Sequence, residues 1–416
     1  MSVSLKEDKN DKVVDSGLET AKFTTVETLG YIVGTNIGAG VLGLAFAARK
    51  AGFIPMLVSL LVTYIICTIA MLYIAEVCLR TKGNRQLSGL TDRYLGKFGS
   101  WIVFLGIAGS CYGALIAYIA GSGDILHAFF GDLGLTSQMG SILFLIPAIL
   151  PMYIGFKALG VGQKVISTGM TAVIVLLIIA TLFHSDTSID NLLESNWAYI
   201  VPIFNVSVFI LAAQFLVPEI VRGNMHKPKA IPKLIIVGMG LVLLVVVIIP
   251  ASVIALVGID NIKDEVATLT WGGNLGPWAF YAASIFALLA LLTSYWGMGG
   301  ALFSNVFDQF KLGSEKNKFR RIIALIIVSL PPLLLTFFDK ASFVNALYFA
   351  GTIDGFVMGV IPIFLLYKAR KYGDRNPEYT VGFISNPIMQ IVIVLTFIMA
   401  GFYAIAELFG YLPASW

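Results

Sequence analysis

Residues 34–44 read Gly34-Thr35-Asn36-Ile37-Gly38-Ala39-Gly40-Val41-Leu42-Gly43-Leu44. Three readings compete for this stretch. Gly38, Gly40 and Gly43 spell G-x-G-x-x-G, but the dinucleotide fingerprint needs a strand before it and an acidic residue about 20 positions later. The flanks here are apolar over helical lengths and residues 56–75 contain no Asp or Glu, so that reading fails. Gly30, Gly34 and Gly38 also recur every four residues, as do Gly351, Gly355 and Gly359. Small residues at that spacing let helices approach closely in lipid. Packing leaves Thr35, Asn36 and the close-set glycines unexplained, since Gly costs about 1 kcal/mol against Ala inside a helix. Backbone that leaves the helix at membrane depth is tolerated where it lines a protein cavity. The third reading is therefore a membrane helix broken near Gly38. Its freed N–H groups and half-helix N-terminus suit a carboxylate, and its freed carbonyls suit a cation.

The rest of the chain agrees with a membrane setting. Apolar residues make up 58% of the 416 and charged residues 12%, against roughly 25% charged in soluble domains. A span needs about 20 apolar residues. Eleven such stretches occur, at about 25–49, 53–79, 99–124, 138–158, 162–184, 198–221, 231–258, 277–307, 320–338, 343–367 and 387–411. Residues 1–22 read as a flexible cytosolic tail and 23–416 as one transmembrane domain. With the N-terminus inside, all but Arg49, Lys50, Lys263 and Lys340 of the 28 basic residues fall in the tail or in loops on the cytosolic side. That asymmetry fits the positive-inside rule and puts the C-terminus outside. Trp101, Trp197, Trp271, Trp278 and Trp416 fall near span ends, where amphipathic rings anchor, while Trp296 lies deep in span 8. Cys67, Cys78 and Cys111 sit in apolar stretches and read as small buried residues.

The stretch from Gly34 to Leu44, followed by Ala45-Phe46-Ala47-Ala48 and Ala51-Gly52-Phe53, resembles the first span of the amino acid/auxin permease family. That grouping takes in bacterial tyrosine and tryptophan permeases and animal neutral amino acid transporters. Glu76 with Leu79-Arg80-Thr81 resembles the end of the family's second span, and Val217-Pro218-Glu219-Ile220 the end of its sixth. The resemblance is sharp over residues 30–81 and extends elsewhere in layout. It implies the fold of the bacterial leucine transporter: a 5+5 inverted repeat, about 25–184 and 198–367, with spans 1 and 6 broken and an extra helix at 387–411. In span 6 the chain departs from its relatives, because no glycine lies between Trp197 and Arg222. A break is expected near Phe209–Ala213.

The resemblance also implies a site. The N–H groups of Ala39, Gly40 and Val41, beside Thr35, Asn36 and Gly38, would receive a substrate carboxylate. The carbonyls of Gly34 and Ile37 would face a sodium ion, with hydroxyls from Thr293 and Ser294 in span 8. The plain alternative for those hydroxyls is a bond back to their own helix. Some sodium-independent relatives of this fold place a span 5 lysine where sodium sits, and residues 165–183 hold none, which favours sodium. Asp354 keeps a proton route open. It is the one acid near the middle of a span, where a charge costs about 2.5–3.5 kcal/mol on the mildest scale. A side-chain pocket is expected from Gly109, Tyr112, Gly113, Phe209, Ala213, Gln214 and Trp296. Glu76 with Arg80, and Glu219 with Arg222, stand at helical pairing distance and read as gates or anchors.

The function expected is cation-coupled symport of a neutral amino acid, aromatic first, across the cell membrane. A proton-coupled symporter or exchanger is the second reading, and a sensor or channel a remote one. No cofactor beyond the coupling ion and no nucleic acid is implied, and the sequence carries no mark of oligomeric state. No G-x-x-x-x-G-K-[ST] is present, which argues against an ATP-driven pump. His127, His184 and His226 lie near span ends and far apart, unlike the clustered ligands of a membrane metalloenzyme.

Overall fold

The computed structural model describes residues 22–36, 38–83, 85–154, 156–310, 312, 317–338, 342–413 and 415, with backbone alone for 156–168 and 308. Apart from an isolated bridge between Gly52 and Ser195, regular structure among the described residues is helical. The helices are α1 (Thr25–Asn36), α2 (Gly40–Ala47), α3 (Phe53–Arg80), α4 (Leu87–Phe130), α5 (Ser137–Ile154), α6 (Phe156–Leu182), α7 (Ile200–Leu211), α8 (Val217–Gly223), α9 (Ile231–Val257), α10 (Ala267–Leu275), α11 (Pro277–Gln309), α12 (Lys318–Phe337), α13 (Phe343–Asp354), α14 (Ile361–Tyr372) and α15 (Pro387–Leu408). Among the described residues nine spans are long and apolar enough to cross a bilayer, or ten with α1 and α2 taken as one bent span. The remaining stretch expected to cross, 162–184, falls on α6, whose fully described part, Gly169–Leu182, is shorter than a span. The expected tail lies almost wholly outside the described residues, as do Lys340 and Trp416.

Two spans are interrupted. α1 and α2 meet at 50° across residues 37–39. α7 ends at Leu211, and Ala212 (φ −79°, ψ 76°) and Ala213 (φ −100°, ψ 19°) lead through a 3-10 turn, Gln214–Leu216, into α8. This second interruption needs no glycine because neither φ is positive. Pro218 opens α8, in a first turn where its missing N–H leaves no bond unmade. A third irregularity is the π-helical turn Gly355–Val360 between α13 and α14, directly after Asp354. α4 is also two pieces: Gly96 has φ 72°, a value glycine adopts without a Cβ penalty, so Leu87–Leu95 turns away from the span that follows.

Burial sorts the spans into inner and outer. In the most apolar window of Trp197–Gly223, 78% of residues are buried, against 28% for α12 and 22% for α15. The interrupted span therefore lies at the centre, and α12 and α15 turn Ile326, Leu330, Leu334, Ile391, Leu395 and Phe402 outward. Such surface suits lipid and would be an aggregation hazard in water. The two glycine rows behave differently. A Cβ on Gly351 would stand 2.8 Å from the Asn205 carbonyl carbon, and one on Gly355 2.6 Å from Phe397 Cδ1, so this row seats α13 on α7 and Phe397 of α15 in the π turn. On Gly30 or Gly34 a Cβ would meet nothing within 4 Å. The packing reading thus fails for the first row except at Gly38.

α10, absent from the expected elements, folds back between α9 and α11 and packs on both and on α2. It carries Trp271, which is fully buried and donates from Nε1 to Thr181 Oγ1 at 2.8 Å. Trp271 is thus a core residue, whereas Trp101, Trp197 and Trp278 are exposed as interface anchors would be. At the opposite end the fully buried Glu76 carboxylate accepts from Arg80 Nε (2.8 Å), Arg370 Nε and Nη2 (both 2.9 Å) and Val381 N (2.6 Å). This cluster ties α3 to α14 and to the segment after it, an anchor in the sense expected. The three cysteines are free, with Cys67 and Cys111 buried and Cys78 partly so.

Candidate functional site

The interruption in span 1 opens onto a cavity of about 690 Å³, inside the roughly 300–1,000 Å³ range of small-molecule sites. Gly34, Thr35, Asn36, Gly38, Ala39 and Gly40 line it, and Phe209 and Ala212 face it from the other interruption. α11 contributes Thr293, Ser294 and Trp296, and α13 contributes Asp354. The cavity extends toward Tyr31, Gln86, Glu219, Ser304 and Asn305. No Lys, Arg or His lines it among the described residues.

The local chemistry follows from the broken backbone. α1 ends in side chains that bond back to its own carbonyls: Thr35 Oγ1 donates to Tyr31 O and Asn36 Nδ2 to Ile32 O, both at 2.8 Å. α2 starts at Gly40 with no side-chain cap from Ala39. The Ala39 N–H donates to Ser294 Oγ of α11 at 3.0 Å. Glycine is required at Gly38 and Gly40 for contact: a Cβ on the first would run into Ser294 Oγ, and on the second would come within 2.7 Å of Ile210 Cγ1. Thr293 Oγ1 donates to its own helix, to Leu289 O at 3.0 Å and Ala290 O at 3.1 Å. Ile37 lies outside the described residues. Of the expected cation ligands, Gly34, Thr293 and Ser294 thus share the cavity wall, with Thr293 bonded as the plain alternative has it and Ser294 on a backbone N–H.

Among the described residues two acids face the cavity. Asp354, 7% exposed, accepts from Ser110 Oγ at 2.7 Å. Glu219 accepts from the Tyr31 hydroxyl and from Gln86 Nε2, the latter at 3.1 Å, with Arg222 Nη2 3.7 Å away. Glu219 is therefore held by three neighbours from α1, the start of α4 and α8, where the cavity reaches the end of the bundle.

Comparison with known proteins fits this arrangement. The model of the tryptophan/tyrosine permease family matches residues 24–403. The chain belongs to that family. It is the tryptophan/tyrosine permease family that matches, not the amino acid/auxin permease family that span 1 resembles. A Haemophilus influenzae protein named tyrosine-specific transport system 1 is 27% identical over 408 residues, covering 94% of this chain and 98% of its own length. From the same organism, a tryptophan-specific transport protein is 24% identical, covering 85% and 91%. Glutamine transporter 2 of Aliivibrio fischeri is 23% identical, covering 81% and 87%. The protein is thus a multi-pass amino acid permease and not an enzyme.

Six expected site residues of the permease are not on the cavity wall. Val41 is 2% exposed in the core. Ala213 and Gln214 are buried beside the wall residue Ala212, and Gln214 Oε1 has no partner among the described residues. Tyr112 points away: its hydroxyl donates to Ile327 O of α12 at 2.8 Å. Gly109 and Gly113 pack on Ile353 and Ala350 of α13. The face of α4 that does meet the cavity carries Ile107, Ser110, Cys111 and Tyr118. A step of two residues along a helix turns the side chain by about 200°, so the expectation had the right span and the wrong face. Tyr31 and Gln86 were also missed. Tyr31 had a legible signal, since it lies four residues before Thr35 and so on the same helical face.

Proposed function

We propose that this permease carries an aromatic amino acid, tyrosine or tryptophan first, by cation-coupled symport across the cell membrane, with the N-terminus cytoplasmic and the C-terminus outside. The observation that carries the reading is the cavity of about 690 Å³ set at the breaks of spans 1 and 6, walled by Phe209 and Trp296 and lacking Lys, Arg and His among its described lining residues. A zwitterion with a large neutral side chain suits that wall better than an acidic substrate. The names of the relatives point to the same class. The carboxylate is assigned to the N–H groups of Ala39 and Gly40, which line the cavity at the head of α2, where the helix dipole favours an anion. Eleven spans in a 5+5 inverted repeat with one added helix are the architecture this reading implies, and the cavity in this structure then opens to the cytoplasmic side.

Sodium is the first coupling ion, held by the carbonyls of Gly34 and Ile37 with the hydroxyls of Thr293 and Ser294. A second reading, proton coupling through Asp354, is favoured by a specific observation: this carboxylate faces the cavity with a serine hydroxyl as partner and no cationic side chain on the described wall. Uptake of labelled tyrosine, tryptophan and glutamine into proteoliposomes, under a sodium gradient and separately under a proton gradient, tests both. Accumulation with sodium alone, abolished in the doubly substituted Thr293→Val, Ser294→Ala protein, supports the first reading. Accumulation with protons alone, abolished by Asp354→Asn, supports the second. Undiminished uptake by correctly inserted Gly40→Leu would refute the carboxylate site.

A further inference from the structure

A foreign hydroxyl sits on the group assigned to the substrate. The leading N–H groups of a helix have no intrahelical partner, and Ala39 offers α2 no side-chain cap. The Ala39 N–H is taken instead by Ser294 Oγ, from a span about 250 residues away in sequence, at 3.0 Å. Gly38 makes that approach possible, because a Cβ there would collide with the same oxygen. Tyr118 of α4 lines the same cavity. Both Ala39 and Ser294 line the cavity. An independent feature marks this cavity as one that takes a polar ligand: Asp354, 7% exposed, faces it with Ser110 as hydrogen-bond donor and no Lys, Arg or His among the described lining residues.

We propose that Ser294 is a displaceable cap, its Oγ and the substrate carboxylate being alternative acceptors for the Ala39 N–H, so that this serine sets substrate affinity. The inference rests on the carboxylate assignment made above, and it takes Ser294 out of the sodium ligand set, leaving that ion to Gly34, Ile37 and Thr293. A carboxylate wins the exchange because hydrogen bonds to an ionised acceptor are roughly twice as strong as neutral ones. An internal competitor reduces apparent affinity by the fraction of protein in which the N–H is already engaged. The role differs from that of a cation ligand in the sign of its effect: removing a ligand weakens binding, and removing a competitor tightens it.

The test is equilibrium binding of L-tyrosine, L-tryptophan and L-glutamine, each beside its decarboxylated amine (the α-carboxylate replaced by hydrogen, so that no acceptor is left for the Ala39 N–H), to the purified full-length protein in nanodiscs with and without sodium. Ser294→Ala is expected to bind the preferred amino acid about fivefold tighter, the equivalent of one neutral hydrogen bond. Its affinity for the decarboxylated amine and its sodium dependence stay as in the parent. Ser294→Cys, which keeps a side chain of similar size with a weaker acceptor, should shift affinity the same way by less. Unchanged or weaker amino acid binding in Ser294→Ala, equal tightening for acid and amine, or loss of sodium dependence would each overturn the cap. Equal binding of acid and amine by the parent protein would instead remove the carboxylate assignment, and binding of none of the three would remove the substrate class, the cap falling with either.

Discussion

Replacing Gly351 by alanine tests how the centre of the bundle is held. The residue lies in α13 where that helix meets α7, the first half of the interrupted sixth span. An added Cβ would stand 2.8 Å from the Asn205 carbonyl carbon and 3.0 Å from the Phe209 nitrogen, with the carbonyl oxygen closer still. Every obstacle is backbone, so no side-chain rotation relieves the clash and the two helices must separate. Overpacking of this kind costs about 1–3 kcal/mol, and rigid obstacles place it near 3. Alanine returns about 1 kcal/mol of helix propensity, leaving a net loss of about 2 kcal/mol. Gly30→Ala is the matched control: its Cβ meets nothing within 4 Å, so it gains the propensity alone. The two variants should differ by about 3 kcal/mol, roughly a hundredfold in the folding equilibrium at about 1.4 kcal/mol per decade. Chemical denaturation in a mild detergent, followed by tryptophan fluorescence, measures the difference. Uptake should fall with Gly351→Ala as well, because Phe209, on the cavity wall, lies at the clash. Equal stability of the two variants, or a Gly351→Ala protein more stable than the parent, would refute the close approach of α13 and α7.

Glu76→Gln should destabilise the protein. Removing one partner of a buried ion pair costs about 3–5 kcal/mol, and the partial exposure of Arg80 and Arg370, 17% and 36%, reduces that to about 2–3; the same denaturation assay reads it, and an unchanged midpoint would count against the anchor. Tyr112→Phe should leave substrate affinity and uptake unaltered while costing about 1 kcal/mol of stability, the net worth of its hydrogen bond to Ile327 O; a changed KM would return Tyr112 to the binding site. Thr181→Val, at the Oγ1 that accepts from Trp271 Nε1, strands a fully buried indole N–H and should cost about 1–3 kcal/mol, seen as a lowered denaturation midpoint and a shifted tryptophan emission.

What could be read from the chain and what could not divides along a physical line. Hydropathy, the placement of basic residues and the polar, glycine-rich centre of span 1 are local properties, and they determined the membrane setting, the helical class and the break at residues 37–39. The chemistry of the broken backbone follows from the same local facts, and the cavity does gather Gly34, Thr35, Asn36, Gly38, Ala39 and Gly40 with Thr293, Ser294, Trp296 and Asp354. Helix azimuth is different. Each residue turns the side chain by about 100°, and which turn faces the cavity depends on the neighbours packed against the helix. That is why Ser110 and Tyr118 line the wall while Tyr112 reaches for α12. The same holds for glycine spacing: Gly30/Gly34 and Gly351/Gly355 are alike as sequence, yet one pair faces open space and the other faces Asn205 and Phe397. The break in span 6 carries no glycine, so its position at Ala212 and Ala213 comes from the packing around them. The bond from Ala39 N–H to Ser294 Oγ joins residues 255 positions apart, and only the tertiary structure brings a hydroxyl of span 8 onto the head of α2.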